Sequence, residues 1–153
     1  MAKAIIVYES KYGNTKLVAE MIVEGMNQVS GTEAILTELN EVDLTQIDEF
    51  DTILVGSPNH LGRATRSIRK FIDKLRKLNL ENKQGAVFDT YLAKDFEKAV
   101  KKMEKQIAEK VPGLTLVAPG LSIRVDGMKG PIMDGELPKC KEFGAKIATQ
   151  MKE

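Results

Sequence analysis

Apolar residues fall along this chain in two rhythms that alternate from end to end. Residues 3–8 (KAIIVY) form an unbroken, β-branched run, which predicts a strand buried on both faces. Residues 15–29 then space Leu17, Val18, Met21, Ile22, Gly25 and Met26 as a helix, and Ser30-Gly31 ends it. Residues 33–39 (EAILTEL) predict a second strand, and the acidic stretch NEVDLTQIDEF a connection with about one helical turn. Residues 51–56 (DTILVG) predict a third strand, and Ile68, Phe71, Ile72, Leu75 and Leu78 an amphipathic helix over 65–78. A fourth strand is predicted at 84–88 (QGAVF). A charged helix follows at 94–110, with Phe96, Val100, Met103 and Ile107 on one face and Glu97 four residues before Lys101. Pro112-Gly113 breaks that helix. Residues 114–124 contain a fifth strand, VDGMKGPIMDG a loop, and 136–151 the last helix, with Leu137, Cys140, Phe143, Ile147 and Met151 at core spacing.

Strand and helix thus alternate five times. That order argues for an α/β fold: one doubly wound parallel sheet with helices on both faces. Right-handed crossovers leave few topologies, and five strands suit the order 2-1-3-4-5. In such a sheet ligands bind beyond the carboxyl ends of the strands, where the order reverses. Here that point lies between strands 1 and 3. It brings together the loop from Glu9 to Asn14 and the loop from Ser57 to Ala64.

The first loop leads at once into a helix, whose N-terminus directs backbone N–H groups and the positive end of its dipole outward. Ser10 and Thr15 add hydroxyls, and Gly13 and Asn14 tolerate positive φ. A phosphate needs such a cradle. A plain helix cap built from Ser10, Asn14 and Thr15 is the other reading of the loop alone. No GxxxxGK[ST] is present, so a nucleoside triphosphate site of that type is excluded, and no GxGxxG follows strand 1. Strand 3 ends in Val55-Gly56-Ser57, without the aspartate of a phosphoacceptor domain. A phosphate monoester held by backbone and hydroxyls is the remaining anion.

Composition narrows the class further. With 153 residues, 42% hydrophobic and 29% charged, the chain fits one globular domain over 1–153 and not a disordered segment. Its apolar runs are too short for a membrane helix, and its first ten residues do not read as a signal peptide. A single cysteine, Cys140, points to a reducing cytoplasm; no histidine lies near it, and it reads as a surface or half-buried helix residue. Net charge is +1, yet residues 1–56 hold three lysines against ten acids, and residues 57–153 hold twenty bases against twelve acids. That asymmetry sets a field across the molecule.

The run IVYESKYGNTKLVAEMI resembles the flavodoxin signature at every position: Ile6, Val7 and Tyr8, then Ser10, Gly13, Thr15, Ala19 and Ile22. The segments DTILVGSPNHLGRATRSIRKFIDKL, GAVFDTYLAKDFEKA and KGPIMDGELPKCKEFGAKIA are similar to later parts of short-loop flavodoxins of archaea and some bacteria. The resemblance implies an FMN site. Ser10, Lys11, Tyr12, Gly13, Asn14 and Thr15 would hold the phosphate. Two loops would flank the ring: Ser57, Pro58, Asn59, His60, Leu61 and Gly62 in one, and Phe88, Asp89, Thr90, Tyr91 and Leu92 in the other. Tyr91 is the stacking candidate, with simple cover of the next helix as the alternative. The family's peptide flip near the flavin would involve Gly62. The chain departs from the family in having no tryptophan, so Pro58, His60 or Leu61 would cover the second face.

The function this implies is FMN-dependent electron transfer between redox partner proteins by a monomer, with no nucleic acid, membrane or metal involved. No catalytic side-chain arrangement is visible. Arg63, Arg66 and Arg69 open a basic helix that either is simply solvated or steers an acidic partner. The alternative is an FMN-dependent NAD(P)H:quinone-type reductase, for which the short loops leave little pocket.

Overall fold

In a computed structural model that describes residues 1–151, six strands and four α-helices follow one another along the chain. They are β1 (Ala2–Tyr8), α1 (Asn14–Asn27), β2 (Thr32–Glu38), β3 (Thr52–Pro58), α2 (Arg66–Leu75), β4 (Lys83–Leu92), α3 (Lys98–Lys110), β5 (Leu114–Leu116), β6 (Leu121–Val125) and α4 (Leu137–Met151). The sheet order is β2-β1-β3-β4-β5, as the alternation predicts, and all these pairings are parallel. β6 adds a sixth strand, parallel to the far end of β4.

The continuous apolar run of β1 hides a period of two. Ile5 and Val7 face one layer, where they pack with Ile68, Phe71, Ile72 and Leu75 of α2 and Val100, Met103 and Ile107 of α3. Ala4, Ile6 and Tyr8 face the other, with Val18, Ile22 and Met26 of α1 and Cys140, Ile147 and Ala148 of α4. In that second layer α1 and α4 touch through glycines. A Cβ on Gly144 would lie 2.2 Å from the Ile22 carbonyl oxygen, so only glycine lets the two backbones meet there.

Four expectations change. The fifth strand is two, because Pro119 has no N–H to pair and Gly120 N–H turns to Glu104 Oε2 at 2.9 Å. The connection 39–51 winds as two 3₁₀ helices, Leu39–Glu41 and Leu44–Glu49. α3 starts at Lys98 and not at 94, since Ala93 and Glu97 adopt φ of 58° and 62°. Phe96 is therefore off the helix and 56% exposed, outside the core it was expected to join. Cys140 is wholly buried; burial pushes its thiol up to about 12, so it is not a surface residue.

Candidate functional site

At the carboxyl ends of β1, β3 and β4 lies a cleft of about 730 Å³, within the range of small-ligand sites. Three walls enclose it: the loop from Glu9 to Thr15, the loop from Pro58 to Thr65, and the segment Thr90–Asp95. Val125 and Met128, from the loop after β6, complete its lining.

Backbone builds the first wall. Gly13 takes φ 93° as the residue before α1, and its N–H donates to Ser10 Oγ at 3.1 Å. Ser10 is thereby committed to the turn. Thr15 and Thr90 share a hydroxyl–hydroxyl hydrogen bond of 2.9 Å at the buried base of the cleft. α1 receives no side-chain cap and has no acid in its first turn. The helix-cap reading of Ser10, Asn14 and Thr15 is therefore not realised, and among the described residues no side chain accepts from the first-turn amides, beside a cleft that Asn14 and Thr15 line.

Side chains build the second wall. Asn59 N–H donates to Thr90 O at 2.8 Å, and Gly62 N–H donates to Asn59 Oδ1 at 2.8 Å. His60 and Arg63 exchange backbone hydrogen bonds of 2.7 and 3.3 Å across a tight turn. Leu61 at φ 56° and Gly62 at φ 82° form its tip, which leaves Leu61 86% exposed at the mouth of the cleft. His60 is likewise exposed there. Ser57 is wholly buried; its hydroxyl donates to Pro58 O and accepts from Thr65 N–H. Thr65 Oγ1 donates to Glu9 Oε1 and accepts from Ile68 N–H, so one hydroxyl caps α2 and ties the second wall to the end of β1.

The third wall is a strand, where a loop was expected. Pairing with β6 carries β4 on to Leu92, and its residues then alternate in direction. Thr90, Tyr91 and Leu92 line the cleft. Phe88 does not; it is buried in the core beneath α1 and α4. Asp89 does not line it either. Its buried carboxylate accepts from Ser122 Oγ at 2.6 Å and from Val100 N–H at 3.1 Å. Burial pushes this carboxyl up to about 7, and the Ser122 and Val100 hydrogen bonds oppose that rise. Tyr91 meets Phe96 edge to face at 5.4 Å and is only 9% exposed, so it forms a firm wall and not an open platform.

Of the residues expected at the site, Ser10, Lys11, Tyr12, Asn14, Thr15, Pro58, Asn59, His60, Leu61, Thr90, Tyr91 and Leu92 line one cleft. Gly13, Ser57 and Gly62 shape its loops from behind. Glu9, the first residue of the expected loop, lines it too, and Thr65, Asp95, Val125 and Met128 are lining residues that were not expected. The topology carries a signal for the last two, since a loop following a parallel strand opens at the same edge of the sheet.

A family model described as "Flavodoxin domain" matches residues 5–124. The chain belongs to the flavodoxin family. It is 35% identical over 88 residues to a flavodoxin of Clostridium saccharobutylicum, an alignment covering 58% of this chain and 55% of that protein. An archaeal flavodoxin structure superposes with a TM-score of 0.85 at 31% identity, covering 99% of each chain. An NAD(P)H dehydrogenase (quinone) of Chromohalobacter salexigens is 27% identical over 95 residues, 48% of this chain and 47% of that protein. The chain thus spans about half the length of the curated relatives it matches.

Proposed function

We propose that this flavodoxin binds FMN and carries electrons between partner proteins. The observation that carries the reading is the uncapped N-terminus of α1 opening into a cleft walled by Tyr91, Leu92, Pro58 and Leu61. One end of that space offers amide donors to a phosphate, and the other offers apolar walls to a flat ring. The residues therefore fit a flavin monophosphate. Asn14, Thr15 and the amides behind Gly13 would take the phosphate, while Tyr91 and the Pro58–Gly62 turn would hold the ring and exclude water. When bound, FMN supplies the redox chemistry, and the protein sets its orientation and electrostatics.

Partner choice follows from charge. Seven bases lie between Arg63 and Lys77, and among the described residues none of them forms an ion pair with a carboxylate. Arg63, Arg66 and Arg69 start beside the cleft, so they suit an acidic redox partner. The unit at work is the domain 1–153, a cytoplasmic monomer. Among the described residues no helix is long and apolar enough to cross a membrane.

The test is an absorption spectrum of the purified protein with added FMN, followed by anaerobic dithionite titration. Retained flavin reduced in two resolved one-electron steps supports the carrier. Loss of all flavin on gel filtration refutes it. A single two-electron step together with NAD(P)H-driven quinone reduction would move the assignment to the reductase that the Chromohalobacter match suggests. Replacing Arg63, Arg66 and Arg69 by glutamate is expected to slow reduction by the physiological donor at low salt, and unchanged rates would remove the steering role.

A further inference from the structure

We propose that Lys129, on the loop after β6, joins Lys11 to form a cationic clamp on the phosphate of the bound flavin, so that this cleft selects FMN over riboflavin by charge. The inference rests on the FMN reading and adds to it a residue 118 positions away from the phosphate loop. Both ammonium groups gather at one ring: Lys11 Nζ lies 5.4 Å and Lys129 Nζ 6.0 Å from the centroid of Tyr12. Two like charges drawn to one aromatic repel each other, and among the described residues neither has a carboxylate within ion-pair distance. The ring stands in the first wall, one residue before the glycine that opens α1. An anion placed there would neutralise both lysines and the helix dipole together.

The loop that brings Lys129 is fastened to the phosphate loop. Tyr12 O–H donates to Met128 Sδ at 3.8 Å. Gly130, at φ 99°, passes so near Asn14 that a Cβ on it would lie 2.5 Å from Asn14 Oδ1. Within the loop Gly130 N–H donates to Gly127 O, and Asp126 N–H donates to Pro131 O, both at 2.8 Å. Lys129 therefore sits on a turn braced at both ends. Lys11 is also one of only three bases among residues 1–56, a region otherwise dominated by acids, and Lys129 adds a cation from a distant part of the fold.

The measurement is flavin affinity of the full chain stripped of flavin, for FMN and for riboflavin, at low and high salt, in the wild type, Lys129→Gln and Lys129→Arg. The wild type is expected to prefer FMN, with an affinity that falls as salt rises. Lys129→Gln should weaken FMN about tenfold and flatten the salt dependence, leave riboflavin unchanged, and be rescued by arginine. An unchanged FMN-to-riboflavin ratio in Lys129→Gln overturns the clamp while leaving FMN binding in place. If the wild type binds neither flavin, the FMN reading itself has failed, and inorganic phosphate becomes the probe. Shifts of the amide resonances of residues 12–15 on adding phosphate, lost in Lys129→Gln, would still support the clamp; no shifts would overturn it.

Discussion

Helices α1 and α3 begin alike and end up doing different things. Each is preceded by a left-handed residue, Gly13 at φ 93° and Glu97 at φ 62°, and neither of those residues supplies a side-chain cap. At α3 a buried carboxylate from the sheet fills the gap: Asp89 takes the Val100 N–H, and Ser122 links Asp89 to the Glu97 N–H at 2.9 Å. At α1 Ser10 Oγ takes the Gly13 N–H, but among the described residues no carboxylate takes the place of Asp89. The same local geometry is thus closed by an internal carboxyl in one case and left without one in the other. A helix start that folding leaves without an acceptor, beside one that folding satisfies, marks where a ligand belongs.

The largest expected effect separates the two by pH. Asp89 ionises near pH 7 in the fold, well above the usual carboxylate range, because it is buried. Between about pH 4 and pH 7 the folded state therefore holds a proton that the unfolded chain has lost, and stability falls as pH rises through that window. The drop has an upper bound of about 4 kcal/mol from the size of the shift. It levels off above pH 7, where both states are ionised. Asp89→Asn keeps an acceptor for Val100 N–H and carries no charge. Urea midpoints of this variant between pH 4.5 and 7.5 should lose that slope. A variant that keeps the wild-type slope would show that another group titrates.

Much of this was legible in the sequence, and the remainder has physical reasons. Strand and helix periods set the sheet order because each run is long enough to show its rhythm, from Ile5–Val7 in β1 to Ile68–Leu75 in α2. The first wall of the cleft was legible because its parts, Ser10 to Thr15, are contiguous. The third wall was not. Asp89 is a poor advertisement for a strand, and beyond Thr90, where β3 ends, only the pairing with the distant β6 keeps Tyr91 and Leu92 in one. Phe96 read as a core residue because its spacing fits α3, but the left-handed Ala93 and Glu97 delay the helix past it. The Glu9–Thr65 tie and the approach of Met128 to Tyr12 depend on distant segments meeting, which periodicity does not report.

A smaller effect is expected at the open helix start. Gly13→Ala puts a side chain where there is free space, with no atom within 4 Å of the new Cβ, so the penalty is conformational alone. It should cost about 1 kcal/mol of stability. The same strain should shift the first-turn amides and weaken FMN more than riboflavin, which flavin titration would detect. Equal weakening of both would place the loss at the ring and not at the phosphate.

The smallest effect is expected at the closed start, and its sign is the informative part. Glu97 sits at φ 62° without the glycine that such a position favours. Glu97→Gly should recover about 1 kcal/mol of backbone strain. It gives up the Glu97–Lys101 pair of 3.5 Å, an i,i+4 contact at the surface worth about 0.3–0.5 kcal/mol, and some unfolded-chain entropy. The terms largely offset one another, so the urea midpoint should move only slightly, and upward. A clear loss of stability would mean that Glu97 holds α3 in place by more than its backbone N–H to Ser122. The closure of that helix start would then belong to Glu97 as much as to Asp89, and the contrast with α1 would narrow.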